Sequence, residues 1–143
     1  MKRKRTYVDA SVLIAAFQGE GATAQRAFAI LDDPDRTFIV SDYLRLEVIP
    51  KPTFYGRQEE IAFMEQALSQ GENISTSSDL TEKPLEMASK YDMTPMDALH
   101  VGAAAIAGVD ELVTMEKPTK PICKVGEIKV VSIHSHSEAS RSD

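Results

Sequence analysis

The sequence predicts an α/β domain with a mostly parallel central sheet, and three observations carry that expectation. Short apolar, strand-like runs alternate with longer segments of helical spacing along the chain, the order that builds parallel sheets from strand–helix units. The 143 residues are 43% hydrophobic, enough for one domain of common size to bury its own core. Two acids, Asp9 and Glu116, fall at the ends of predicted strands, where open sheets of this kind bind their ligands.

Taken in order, Arg5 to Asp9 reads as a short strand. Ala10 to Phe17 follows as a helix whose nearly unbroken apolar character suggests burial, with Ser11 helping to cap it. After Gly19 and Gly21, the alanine-rich segment Ala22 to Leu31 is helix-prone and ends in the turn Asp32-Asp33-Pro34-Asp35. Thr37 to Val40 is a second strand. Ser41 or Asp42 then caps a helix carrying Glu47 and running to about Ile49, where Pro50 and Pro52 stop it. From Arg57 to Gln70, Ile61, Met64 and Leu68 follow helical spacing, and Gly71 supplies a stop. Asn73 to Thr76 reads as a short strand and Pro84 to Tyr91 as a helix with Pro84 in its first turn. Thr94-Pro95-Met96-Asp97 opens the next helix, with Met96, Leu99, Ala103 and Ile106 on one face and Gly108 at its end. Glu111 to Thr114 and Lys129 to Ile133 complete the strands. The domain is expected to span residues 1–133, with 134–143 a polar, disordered tail.

Composition removes several function classes. The only long apolar run, Ala98 to Val109, is interrupted by His100 and falls short of the roughly 20 residues that span a bilayer. The basic start, Met1-Lys2-Arg3-Lys4-Arg5, leads into a strand without the apolar stretch of a secretory signal, so a cytoplasmic protein is expected. A single cysteine, Cys123, permits no internal disulfide and makes a poor zinc site, which leaves it a packing role. No glycine-rich phosphate loop, paired CxxC or GxSxG element is present, so cofactor-dependent redox and serine hydrolase chemistry lack support. The net charge of −6 argues against a surface built to coat nucleic acid. It is compatible with an enzyme that gathers its acids at one site and holds a strand on a local basic rim. Candidates for that rim are Lys2, Arg3, Lys4, Arg5, Arg45, Lys51, Arg57, Lys117, Lys120 and Lys124, which read equally well as solvated surface residues.

Four acids, Asp9, Glu47, Asp97 and Glu116, stand where metal chemistry would want them. Two carboxylates about 4 Å apart repel by roughly 4 kcal/mol at an effective dielectric near 20, so four together would need a cation to stay ionised. Each also has a simpler reading. Asp9 can serve as a helix N-cap. Asp97, three residues after Thr94, resembles half of a capping box and suits the helix dipole. Glu47 lies among Tyr43, Leu44, Leu46, Val48 and Ile49, so it is expected to be buried and to need a cation or a proton. Glu116 sits in a turn where acids are ordinary, and Asp110 and Glu111 compete with it. His100 reads as a helix residue with a local hydrogen bond, and His134 and His136 as tail residues.

At these residues the chain resembles the PIN-domain family, especially its small toxin-like (VapC-like) ribonucleases, over about residues 5 to 133. Tyr7-Val8-Asp9-Ala10-Ser11-Val12-Leu13-Ile14 is similar to the family's first acidic motif and Leu46-Glu47-Val48 to the second. Asp97-Ala98-Leu99-His100-Val101-Gly102-Ala103-Ala104 resembles the third, and Val113-Thr114-Met115-Glu116 stands in the place of the fourth. There the family more often has threonine, any residue, then aspartate; here glutamate and Lys117-Pro118 stand. The resemblance implies a three-layer α/β/α sandwich, dependence on Mg²⁺ or Mn²⁺, an RNA substrate, frequent homodimers and a small antitoxin partner. Asp9, Glu47 and Asp97 would hold the cation, Glu116 would be an outer or second-metal ligand, and Ser11 and Thr114 would orient water or ligands. An oxygen-only set favours Mg²⁺ or Mn²⁺ over zinc.

Three competing readings stay open. A scaffold that has lost catalysis and binds protein or RNA would account for the irregular fourth motif. A haloacid-dehalogenase-like phosphatase also begins with an aspartate after a strand, but needs a second two positions on, where Ser11 stands. A phosphorylation receiver domain would explain acids and Lys117-Pro118 at strand ends, but wants adjacent acids near the first strand, which Val8-Asp9 lacks.

Overall fold

Tyr7 and Val8, adjacent on one strand, point to opposite faces, and both are buried, at 0% and 2% exposure. The same holds for Ile39 and Val40 on the neighbouring strand and for Leu112 and Val113 on the other side. A strand buried on both faces needs helices above and below it, as parallel sheets do. A computed structural model describes residues 3–75 and 79–134 and shows that arrangement. Strands β1 (Lys4–Val8), β2 (Arg36–Ser41), β3 (Glu72–Ile74), β4 (Glu111–Thr114) and β5 (Val130–Ser132) form one all-parallel sheet in the order β3-β2-β1-β4-β5.

Against one face, with Tyr7, Ile39 and Leu112, pack α6 (Asp79–Tyr91), α7 (Pro95–Ala107) and a 3-10 turn (Pro121–Lys124), through Met87, Val101, Ala104 and Ile122. Against the other, with Val8, Val40 and Val113, pack α1 (Ala10–Gln18), α2 (Gly21–Leu31), α3 (Asp42–Val48) and α5 (Gln58–Ser69), through Val12, Leu13, Ala27, Leu44 and Met64. The result is the expected three-layer α/β/α sandwich. Its strand order differs from the 2-1-3-4-5 order of receiver domains, which removes that reading. Among the described residues no helix is long and apolar enough to cross a membrane.

One local expectation needs correction, and two elements were not foreseen. Helix α3 ends at Val48 just ahead of Pro50 as expected, but a separate short helix, α4 (Pro50–Phe54), starts at Pro50 itself, because a proline in the first turn gives up only an amide that has no helical partner there. Helix α6 begins at Asp79, so Pro84 lies inside it rather than in its first turn. Pro84 is buried, and the backbone of Gly102 in α7 comes up against its ring; an added Cβ on Gly102 would lie 2.7 Å from Pro84 Cγ. The 3-10 turn was not anticipated. The expected strand over Asn73–Thr76 is β3, with Thr76 outside the described residues, as are His136 and the tail from residue 135 onward.

The rival acids occupy the amino edge of the sheet, at the start of β4. Glu111, 2% exposed, accepts from Thr6 Oγ1 and Arg36 Nε, both at 2.9 Å. Lys4 Nζ lies 3.8 Å away. Asp110 accepts the Arg5 backbone N–H at 2.7 Å. These acids hold strand starts together, opposite the edge where ligands bind.

Two outcomes follow for stability. Gly102→Ala should cost about 1–3 kcal/mol by overpacking against the Pro84 ring, read as a lower urea midpoint; an unchanged midpoint would show that the two helices do not need the close approach. Arg36→Met should cost about 3–5 kcal/mol by leaving the Glu111 carboxylate buried without its main partner, and a loss under 1 kcal/mol would mean Lys4 and Thr6 suffice.

Candidate active site

Because every strand runs the same way, all strand carboxyl ends lie on one edge. The chain winds outward from β1 through β2 to β3, then returns to the other side of β1 for β4 and β5, so the topological switch point falls between β1 and β4. Ligands bind in the crevice outside such a point. Asp9 follows β1 and Glu116 follows β4, one on each flank.

Asp9 is also the N-cap of α1, since its Oδ1 accepts the Ser11 N–H at 3.0 Å. The cap does not exhaust its chemistry. At 3% exposure the carboxyl is pushed above its ordinary range by burial, with hydrogen bonds from Ser11 and Thr114 and the proximity of His100 opposing that rise. Ser11 ties it to the far side of the crevice: its hydroxyl donates to Asp9 Oδ1 and accepts the Met115 N–H at 2.9 Å. Thr114, fully buried, accepts the Glu116 N–H at 3.0 Å through Oγ1, 3.4 Å from Ser11 Oγ. Ser132 Oγ donates to the Glu116 carbonyl at 2.5 Å. Ser11 and Thr114 thus set the approach of the two acid-bearing segments.

Asp97 enters from the first turn of α7, where Thr94 Oγ1 accepts its N–H at 3.3 Å. Burial pushes the Asp97 carboxyl up first, then the negative charges of Asp9 and Glu116. The thiol of half-buried Cys123 is raised by burial and by the charges of Asp9, Glu116 and Asp97. Asp9 and Glu116 therefore lie near enough to Asp97 for their negative charges to disfavour its ionisation, the situation that a cation relieves. Their donor set, carboxylate oxygen only, suits a hard divalent ion. Among the described residues no three of His, Cys, Asp and Glu stand together as a ready ligand cage.

Glu47 departs from expectation. It is not buried: α3 turns Leu44 and Val48 inward and leaves Glu47 and Leu46 toward solvent. Its compensating partner is His100, whose Nε2 lies 2.7 Å from Glu47 Oε1. His100 is 1% exposed, and its Nδ1 lies 2.6 Å from the Tyr7 hydroxyl. Its bonds are therefore tertiary, to residues 53 and 93 positions away, rather than local. The sequence signal for this was a lone polar ring in a helix whose neighbours Ala98, Val101, Ala103 and Ala104 are all buried.

The basic candidates divide by edge. Lys4 and Arg5 begin β1 and engage Glu111, Glu72 and the Ala107 carbonyl at the amino edge. Lys117, Lys120 and Lys124 follow Glu116 and are exposed. Lys51 and Arg57 line a groove with Glu47, Gln18 and Glu60, and Arg45 pairs with Glu65 at 2.7 Å.

No curated protein matches the chain. Among solved structures it is similar to a toxin-antitoxin complex from Klebsiella pneumoniae, at 23% identity and TM-score 0.68 over 89% of this chain and 96% of that one. A DNA-bound VapBC from Salmonella typhimurium is 15% identical, with TM-score 0.65 over 92% and 98%. A Mycobacterium tuberculosis VapC described as a sarcin-ricin loop cleaving toxin is 15% identical, with TM-score 0.61 over 86% and 98%. At these identities the likeness speaks for the fold. The sequence itself matches the PIN domain family over residues 6–118, which takes in all four acidic positions, and the chain belongs to that family.

Proposed function

We propose that the chain is an endoribonuclease dependent on Mg²⁺ or Mn²⁺, of the toxin kind, with Asp9, Asp97 and Glu116 as the inner acids and Glu47 completing the set. The observation that carries the reading is that the carboxylates of Asp9 and Glu116, which follow β1 and β4 at the switch point, lie near enough to Asp97 to raise its carboxyl. A divalent cation held by these oxygens would supply charge neutralisation for the phosphate and acidify a water. The chain's own part is positional. Ser11 fixes Asp9 Oδ1, and Thr114 holds the turn carrying Glu116, so both acids are set before substrate arrives. Hydrolysis joins the water oxygen to phosphorus, breaks one phosphorus–ribose oxygen bond and returns a proton to the leaving oxygen. Exposed Lys117, Lys120 and Lys124 give the RNA strand a local positive approach in an otherwise acidic protein.

An antitoxin partner, a homodimer and a cytoplasmic setting belong to the same reading. The Klebsiella and Salmonella structures are described as a toxin-antitoxin complex and as VapBC. An apolar groove beside exposed Phe28, lined also by Leu31, Phe38, Phe63 and Ala67, is a suitable seat for an apolar segment of such a partner. The second reading, a binding scaffold without catalysis, is favoured by one observation: Glu47 is engaged by His100 and no three-ligand cage is formed among the described residues.

The decisive assay incubates the protein with a panel of structured RNAs and Mg²⁺ or Mn²⁺. Cleavage should vanish with EDTA and fall at least about a hundredfold in Asp97→Asn, the loss expected when roughly 3 kcal/mol of charge stabilisation is removed. Metal-independent cleavage, or full activity in Asp97→Asn, would contradict the assignment, and no cleavage of any RNA would favour the scaffold.

Stability gives a separate check. A carboxyl whose folded pKa is raised binds protons more tightly in the native state, so metal-free stability should fall as pH rises from the ordinary carboxyl range through the raised Asp97 value. At neutral pH, metal-free Asp97→Asn should therefore melt above wild type, and Mn²⁺ should raise the wild-type Tm more than the variant's. A metal-free variant melting below wild type would show that the carboxylate is not strained.

A further inference from the structure

Four side chains from four elements form one buried line of hydrogen bonds behind Glu47. Ser41, at the end of β2, accepts the Leu44 N–H at 3.2 Å, and its Oγ lies 2.7 Å from the Tyr7 hydroxyl of β1. Tyr7 lies 2.6 Å from His100 Nδ1 in α7, and His100 Nε2 lies 2.7 Å from Glu47 Oε1 in α3. Ser41, Tyr7 and His100 are each 1% exposed or less.

Counting protons decides the direction of the line. A carboxylate only accepts, so Nε2 carries the proton it shares with Glu47. Ser41 has already accepted from Leu44, and its hydroxyl proton needs an acceptor; the partner within reach is the Tyr7 oxygen. Tyr7 then donates to Nδ1, which must be an unprotonated acceptor. Run the other way, with Nδ1 donating to Tyr7 and Tyr7 to Ser41, the line leaves a buried Ser41 proton with no hydrogen-bond acceptor among the described residues, a costly defect. Burial holds the Tyr7 phenol well above its ordinary range, so it remains a donor.

We propose that Ser41 and Tyr7 lock His100 in its Nε2–H tautomer, and that His100 is thereby the positioning residue for Glu47, committing Oε1 to the ring and leaving Oε2 for the metal. The last step rests on the nuclease reading; the tautomer lock does not. A group that orients a metal-ligating side chain is commonly worth 10–100-fold in metal affinity.

Two measurements on the full chain test this. In metal-free wild type, two-dimensional ¹⁵N NMR of the His100 ring should show Nε2 protonated and Nδ1 bare, and Tyr7→Phe should lose that exclusive pattern. Calorimetry with Mn²⁺ should then show about 10–100-fold weaker binding in His100→Asn, whose amide reaches the Nδ1 position but not Glu47. His100→Gln, whose amide nitrogen stands near the Nε2 position, should stay within about threefold of wild type if that donor is what matters. A wild-type ring protonated at Nδ1, or a pattern unmoved by Tyr7→Phe, overturns the lock. Mn²⁺ binding equal in wild type and His100→Asn overturns the positioning role while leaving the nuclease reading intact. The expected tautomer in a wild-type protein that binds no Mn²⁺ upholds the lock and removes the nuclease reading, and should His100→Asn fail to fold, Tyr7→Phe still decides the lock and a loss of Mn²⁺ affinity beyond threefold in His100→Gln overturns the positioning role.

Discussion

A parallel strand covered on both faces has no side on which to display a polar group, so its chemistry is confined to its ends. In this chain the constraint is set by β1, where Tyr7 and Val8 are buried in opposite cores and the next residue is Asp9. Asp9 has left the ladder but not the interior, and its carboxyl is raised by burial as a result. The parallel register then brings the end of β4 alongside the end of β1, through Val8 opposite Val113. Asp97, at the start of α7, lies near enough for the charges of Asp9 and Glu116 to raise its carboxyl.

Such crowding runs against stability, and the surroundings show how it is contained. Backbone amides and hydroxyls point at Asp9: the Ser11 N–H and the Ser11 hydroxyl both end on Oδ1. The start of α7 adds its dipole to Asp97, as helix N-termini favour negative charge. None of this matches a full positive charge, which is the physical reason to expect a cation. The acids at the opposite edge differ in kind. Glu111 is as buried as Asp9, yet it is met by Arg36, Lys4 and Thr6 and is complete without any ligand. Of these two buried carboxylates, Glu111 fastens the sheet through cationic partners, and Asp9 is met by amide and hydroxyl donors.

Much of the architecture was legible because periodicity and punctuation agreed. Apolar strand runs, the Asp32-Asp33-Pro34-Asp35 turn and the Gly71 and Gly108 stops located most elements, and Asp9 stood out by following an apolar strand. One proline misled, since Pro84 was read as a helix start where it lies within α6, and α4 went unforeseen although α3 does end just before Pro50. The Pro84 ring lies against Gly102, eighteen positions on, and no local pattern reports such a contact. Glu47 was misplaced for a related reason: apolar neighbours in sequence suggested burial, but a seven-residue helix can turn Leu44 and Val48 inward while Leu46, 63% exposed, faces water. His100 was undervalued because its partners come from β1 and α3, so its hydrogen bonds exist only in the folded chain.

The central claim is that the crevice between β1 and β4 is a divalent cation site, and a crystal grown with Mn²⁺ and measured at the manganese absorption edge tests it most directly. The account predicts an anomalous peak in contact with carboxylate oxygens of Asp9 and Asp97, on the side of Glu116, with Glu47 turned toward it and still bonded to His100. A peak at the Glu111 edge, or none in the crevice at saturating Mn²⁺, would contradict it.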